Sequence, residues 1–519
     1  MTQQKSEDRV VPDGGVMPAQ PAGGGQGKAV PVEQTAGRLR LPIATAEDPA
    51  GSARKGVRDR SRAELAGVPK AIVNPKDDPL ATMEEVIERL DSAMLKVVAN
   101  QGAPGPDGLT VGMLRERWPT IGPKLHTALL FGTYRPGVIR RAMIPKATGG
   151  QRGLGIPNVA DRVVMEAVRQ VLEPVYEPTF HAASHGFRPG RSCHTAITEA
   201  KQHVRDGYEW VVDIDLEKFF DRVNHQRLLA RLAQRVDDRR LLVLIGRMLK
   251  AKVVLPDGVV IGVWEGVPQG SPLSPLLSNI VLDELDTELA RRGHRFVRYA
   301  DDCNVYVASE RAGQRVMASL SRFIQWRLRL RINTGKSAVA QPKDRHFLGF
   351  CLRVVHGRRR TVEIGLSEST KRNAMARIRQ LTPRTWGGTL EGCIHQINTW
   401  LRGWHAFFGI ASANEKQFMG NIDAHIRRRL RAILLRHWKR RRTITRRLIA
   451  LGIPPHTAWR SLYAGHKSTW ALSHTPAVDH GLRNAYFAKR GLISTAKLRR
   501  GKRPAIDAPV HPTMALEQG

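Results

Sequence analysis

Two adjacent carboxylates within an apolar and aromatic stretch are the residues of this chain best suited to chemistry: Tyr299-Ala300-Asp301-Asp302, preceded by RFVR and followed by CNVYV. At the turn of a β-hairpin such side chains crowd like charges together, which is costly unless a cation neutralises them. Upstream, Asp213-Ile214-Asp215-Leu216 closes another strand, and strand alternation puts Asp213 and Asp215 on one face. Asp215, Asp301 and Asp302 on neighbouring strands could hold two Mg²⁺ ions about 3.5–4 Å apart, activating a 3′-hydroxyl and steadying a leaving pyrophosphate. That is nucleotidyl-transfer chemistry. A lone pair of aspartates is more often solvated surface charge. Here it is accompanied by GVPQGSPLSP at 266–275, a Gly/Pro-rich loop opening a helix, where backbone amides and Gln269 can line a nucleotide pocket. By itself that loop also fits an ordinary turn and N-cap.

The elements that must position these residues are legible as patterns. Residues 210–214, 295–299, 303–307 and 347–351 are β-branched or aromatic runs bounded by turn or charged residues, which predicts strands. Helices fit 161–173, 192–206, 226–235, 238–250, 274–290 and 311–330, making the region between 125 and 350 α+β. Before it, Met83, Val86, Ile87, Leu90, Met94, Leu95 and Val98 recur at helical spacing, which predicts one amphipathic helix ending near Asn100. Residues 1–75, rich in Gly, Ala, Pro and charge, predict a disordered leader, or a short clamp that orders on RNA. From 367 to 449 helical period dominates. Trp400, Trp404, Phe407 and Phe408 form first a hydrophobic stripe and only secondarily a stacking surface. Residues 424–447 interleave a dense Arg/Lys face with Ile426, Leu430, Ile433, Leu434 and Trp438, which predicts a helical bundle with one basic face.

Composition narrows the partners. A length of 519 residues predicts several domains, and a formal net charge of +36 exceeds what solubility needs, so a polyanion is the leading partner. The 41% hydrophobic share excludes a basic tail disordered throughout. The four cysteines, Cys193, Cys303, Cys351 and Cys393, form no CxxC pair, which predicts neither disulfides nor zinc. Neither a run of about 18 apolar residues nor a signal peptide is found, which predicts no membrane span and a cytoplasmic protein.

Taken in order, GAPGPDG, Ile144-Pro145-Lys146, Arg152-Gly153-Leu154-Gly155-Ile156-Pro157, Asp161-Arg162, SHGFRPGRS at 184–192, DLEKFFDRVNH at 215–225, GVPQGSPLSPLLSNI at 266–280, RYADD at 298–302, Gly335-Lys336 and FLGF at 347–350 resemble the group II intron-encoded reverse transcriptase/maturase family. The resemblance spans roughly Met83 to Leu492. It implies an α+β right-hand polymerase, fingers and palm, followed by an α-helical thumb/maturase domain. The implied divisions are a leader (1–75), N-terminal extension and fingers (76–210), palm (211–366), thumb/maturase domain (367–450) and a basic C-terminal region (451–519) that is a candidate DNA-binding segment.

The same resemblance implies roles. Asp215, Asp301 and Asp302 match the catalytic carboxylates, with Asp301 the more direct ligand of the pair and the Leu216 carbonyl a further one. Lys146 and Arg152 match residues gripping the incoming triphosphate, although generic RNA-backbone contact is the alternative. Phe220, otherwise simply core, matches an aromatic that blocks a ribose 2′-hydroxyl, implying dNTPs as substrates. Lys336 matches a general acid for pyrophosphate departure, or is a solvated turn lysine. Arg188 and Arg191 match template and primer contacts, and Arg427, Arg428, Arg431 and Arg440 belong to a surface expected to track RNA phosphates. His185 lacks ligand-spaced partners and is expected to pack or touch RNA.

Two departures from the family pattern stand out: Ser271 where many relatives have Gly, and Met165 where Gln is frequent. The C-terminus also lacks the Cys pairs of an HNH endonuclease, so no DNA-cleaving domain is expected. The implied activity is copying of an RNA template from a DNA primer, with Mg²⁺, coupled to binding of group II intron RNA for splicing and of target DNA for retrohoming. The alternatives are a splicing cofactor with little polymerase activity, or a domesticated enzyme of phage defence or diversity generation.

Overall fold

The computed structural model describes residues 81–145, 151–356, 360–411, 415–465 and 468–498. Ten strands form three sheets. The first joins β1 (Ile139–Pro145), β2 (Gln151–Ile156), β4 (Val253–Val254) and β5 (Val260–Ile261) in the order β2-β1-β4-β5. The second, which carries the aspartates, orders β6 (Arg295–Tyr299), β7 (Asp302–Val307), β3 (Trp210–Ile214) and β8 (Ala338–Ala340) as β6-β7-β3-β8, antiparallel throughout. The third is the hairpin of β9 (Phe350–Val355) and β10 (Thr361–Leu366).

Period-2 alternation explains how the second sheet divides the interior. Val212 and Ile214 of β3, Phe296 of β6 and Cys303, Val305 and Val307 of β7 enter a core shared with the helices Met83–Glu88, Leu90–Ala99, Val159–Tyr176, Arg239–Leu249 and Ser274–Arg291. Val211, Val297 and Tyr306, one residue out of phase, enter a second core with the helices Cys193–Arg205, Leu390–Phe408, Lys416–His437 and Arg441–Ala450. Burial on both faces fixes register, because a one-residue slip would exchange the two sets.

The expected strands 210–214 and 295–299 are found, 303–307 begins one residue earlier at Asp302, and 347–351 is displaced to Phe350–Val355. Six of the ten described strands escaped the pattern. The predicted amphipathic helix breaks at Arg89 into Met83–Glu88 and Leu90–Ala99, the first started by a capping box of Thr82 with Glu85 and the second without a side-chain cap. The basic run 424–447 breaks at Trp438, Lys439 and Arg440, where Lys439 takes a left-handed φ of +57°. The aromatic stripe is core, as Trp400 and Trp404 are 8% and 6% exposed and Phe407 and Phe408 pack on Phe350. Residues 455–488 add Ala458, Leu462, Leu472, Val478 and Phe487 to that same core. Among the described residues, no helix is long and apolar enough to cross a membrane.

Candidate active site

Antiparallel pairing of β3 with β7 aligns Asp213 with Asn304 and Ile214 with Cys303, so the next step along brings Asp215 beside Asp302. Residues directly opposite share a face, hence Asp213, Asp215 and Asp302 lie on one side of the sheet, as alternation predicted for the first two. Asp301 sits in the two-residue turn of the β6–β7 hairpin, closed by the Tyr299–Asp302 pair. Ala300, the other turn residue, has φ +56°, a left-handed conformation that a residue with a Cβ adopts only when its surroundings enforce it.

Those surroundings were not visible in sequence. Arg298 is completely buried and uses its guanidinium to bind Asp286 (2.7 and 2.5 Å), Asn279 Oδ1 (3.0 Å), Ser184 Oγ (2.7 Å) and the carbonyl of Ala300 (2.8 Å). The SHGF segment lies alongside. The Arg298 N–H donates to Ala183 O at 2.9 Å, the His185 N–H donates to Arg298 O at 2.8 Å, and a Cβ on Gly186 would stand 2.3 Å from the Ala300 nitrogen. The only available signal was an arginine inside the apolar run FVRY, whose partners are distant in the chain.

Asp215 is clamped through its backbone. Its N–H donates to Ser337 Oγ (2.9 Å) and its carbonyl accepts from Asn333 N (2.8 Å), while Glu217 N donates to Arg331 O (2.8 Å). Among the described residues this ladder leaves the Leu216 carbonyl without a backbone partner, and it places Lys336 Nζ 3.9 Å from Asp215 Oδ2. Asp213 is held by Arg345 (2.8 Å from Nε).

Burial, followed by the charges of Asp213, Asp301 and Asp215, pushes the Asp302 carboxyl well above the usual carboxylate range. Burial and the Asp215 charge also raise Asp301, against a backbone hydrogen bond and the Arg152 guanidinium. Burial raises Asp213 despite Arg345. Among the described residues, no three His, Cys, Asp or Glu side chains converge into a closed metal cage. The donor set nevertheless fits a hard divalent cation: carboxylate oxygens and a free carbonyl, no imidazole or thiolate, and mutual repulsion that a cation would relieve.

The 266–275 loop is fastened to both sides of this site. Gly266 N donates to Val223 O and Val267 N to Phe220 O (both 2.7 Å), and Gln269 O accepts from Gly155 N of β2 (2.6 Å). Phe220 is half-buried against Phe219, with ring centroids 5.2 Å apart. Arg152 is exposed on β2, opposite Ile144. Lys146 lies outside the described residues. The two departures from the family pattern touch each other: buried Ser271 directs its hydroxyl at the Met165 sulfur, 3.2 Å away.

Two expected RNA contacts are corrected. The Arg188 side chain is 6% exposed, its guanidinium bound to Glu177 and to the carbonyls of His181 and Ser184, so it secures the turn. Arg431 is 9% exposed, binds Leu482 O at 2.9 Å and pairs with Asp479, fastening the helix Lys416–His437 to the segment after it. Arg191 donates to Ala182 O (2.6 Å), Arg427 and Arg428 are half-exposed and Arg440 is exposed. His185 packs, bonded to Thr195 Oγ1 (2.9 Å) and Glu199 (2.8 Å).

Comparison with known proteins yields two family matches: "Reverse transcriptase (RNA-dependent DNA polymerase)" over residues 144–352 and "Group II intron, maturase-specific domain" over 371–449. Protein YkfC of Escherichia coli (strain K12) is 33% identical over 349 residues, 59% of this chain and 90% of that protein. Group II intron-encoded protein LtrA of Lactococcus lactis subsp. cremoris is 40% identical over 34% of this chain and 29% of its own length. A 91 kDa protein in the cob intron of Schizosaccharomyces pombe is 42% identical over 30% of this chain and 18% of its own. The aligned region thus spans under a third of the latter two relatives.

Proposed function

The chain belongs to the group II intron-encoded reverse transcriptase/maturase family, and from that premise we propose that it extends a DNA primer on an RNA template with dNTPs while holding its intron RNA for splicing and retrohoming into target DNA. The observation that carries the reading is the strand register that sets Asp215 beside Asp302, with Asp301 in the adjoining turn and Lys336 3.9 Å from Asp215. Asp215, Asp301, Asp302 and the Leu216 carbonyl would hold two Mg²⁺ ions, which when bound make a primer 3′-hydroxyl nucleophilic and offset charge on the departing pyrophosphate.

The chain's own groups supply the rest. Arg152, close enough to Asp301 to lower its proton affinity, offers a guanidinium to the triphosphate, with Lys146 beside it in sequence. Gln269 and the loop joined to β2 shape the nucleotide pocket, and Phe220, anchored through its carbonyl to Val267, excludes a 2′-hydroxyl. Lys336 Nζ is placed to give a proton to the pyrophosphate oxygen. Arg191, Arg427 and Arg440 present charge to phosphates.

The test is extension of a DNA primer annealed to RNA by the purified full chain. Incorporation of dNTPs in Mg²⁺, stopped by chelation, is expected. A protein that binds intron RNA yet extends nothing under these conditions contradicts the polymerase reading and leaves a splicing cofactor.

A further inference from the structure

Trp470 lies beyond the maturase-specific match, in the short helix Thr469–Leu472, yet its indole is surrounded by arginines from within that match. The guanidinium carbons of Arg428, Arg384 and Arg429 stand 4.2, 5.5 and 5.9 Å from its ring centroid. Arg384 and Arg429, with Thr382 and Thr469, line a recess beside the ring. His425 meets the same ring edge-on at 6.3 Å.

The cluster differs from its neighbour Arg431 in having no acid partner. Arg431, on the same helix, pairs with Asp479, whereas among the described residues none of Arg384, Arg428 and Arg429 is paired with a carboxylate. Arg429 is oriented from within, donating to Thr382 and to the Arg379 carbonyl, which leaves the outer part of its guanidinium available. Arg428 Nε and His425 Nε2 are buried without a hydrogen-bond partner. Burial, then the charges of Arg384 and Arg379, lowers the proton affinity of Arg429, and burial with Arg429, Arg379 and Arg428 does the same to His425. Cation–π attraction draws the guanidiniums to one ring and supplies no negative charge. Like charges held together by the fold without an acid are completed by an anion from outside.

We propose that Arg384, Arg428 and Arg429, arranged about Trp470, form a binding site for the phosphodiester backbone of RNA, built jointly by the maturase domain and the segment that follows it. The inference rests on the reading of the chain as an RNA-binding maturase and deepens it by naming a site. Planar guanidinium forks match phosphate oxygens, and the indole holds the forks apart so that one strand meets several. The segment after residue 450 thereby acquires a role in RNA binding, distinct from the DNA binding expected of it.

Binding of the full chain to a fluorescent 20-nucleotide single-stranded RNA, measured across salt concentrations, tests this. Arg384→Gln/Arg428→Gln is expected to lose about tenfold in affinity and to flatten the log-affinity against log-salt slope by about 1.4, from two phosphates at about 0.7 each. Arg311→Gln/Arg315→Gln, which removes two exposed palm arginines, is expected to change both by less than about a third of that. Equal behaviour of the two double variants overturns the site while leaving RNA binding by the chain intact; failure of the unaltered chain to bind RNA overturns the underlying reading. A loss confined to a DNA strand of the same length overturns the assignment to RNA. Should the double variant melt early, Arg384→Gln alone carries the test, since that side chain is exposed, and it is expected to lose about threefold with a slope change of about 0.7.

Discussion

All five N–H donors of Arg298 are engaged inside the protein, one of them on the carbonyl of the strained residue before Asp301. Arg298→Met strands Asp286 in a fully buried position, and removing one member of such a pair destabilises by about 3–5 kcal/mol. Urea unfolding is expected to show that loss. Arg298→Met/Asp286→Leu is expected to regain most of the stability but not primer extension, since nothing then holds the Ala300 carbonyl. Ser271 and Met165 supply a second prediction. The buried Ser271 hydroxyl faces the Met165 sulfur and also accepts the Leu273 N–H at 3.2 Å. Ser271→Gly removes that acceptor and is expected to lower the urea midpoint, for a loss of about 1–3 kcal/mol. At this scale the aspartates were legible because two carboxylates in an apolar run have few uses. Arg298 was not, because what gives it meaning is Asp286, Asn279 and Ser184 meeting it in space.

The β6–β7 hairpin places Asp301, and the SHGF segment places the hairpin. A methyl group on Gly186 would overlap the Ala300 nitrogen at 2.3 Å, so one backbone must move. Gly186→Ala is expected to reduce single-nucleotide incorporation by about 10–100-fold, since displacement of about 1 Å has that effect, while leaving RNA affinity unchanged. Incorporation near that of the unaltered chain would show that this approach does not govern the turn. Strands with apolar alternation, such as Trp210–Ile214, announced themselves. The two-residue strands Val253–Val254 and Val260–Ile261, and β2 with its glycines, did not, because pairing creates them, of Val253–Val254 and β2 with β1 and of Val260–Ile261 with Val253–Val254, and no local preference does. The break at Trp438, Lys439 and Arg440 was hidden for the opposite reason: every residue there tolerates a helix, and core packing of Trp438 sets the stop.

At the scale of the molecule, a sheet with two buried faces separates two hydrophobic cores, and the carboxylates occupy one end of that sheet. The surplus of 36 positive charges then acts on the ligand more than on the fold. RNA affinity is accordingly expected to fall on the order of 10³-fold between 50 and 200 mM salt, as six or more phosphate contacts require; a flat salt profile would show that RNA is held by other means. Charge made a polyanion legible from sequence. It did not show which arginines face outward, and Arg188 and Arg431 prove to be internal ties. The most direct measurement of the central claim is the rate of a single dNTP addition, on an RNA template in Mg²⁺, by the unaltered chain and by Asp301→Ala protein shown to be folded. A loss of at least about 10³-fold, roughly 4 kcal/mol of transition-state stabilisation, is the expected result. Equal rates in the two proteins would contradict the assignment of this site.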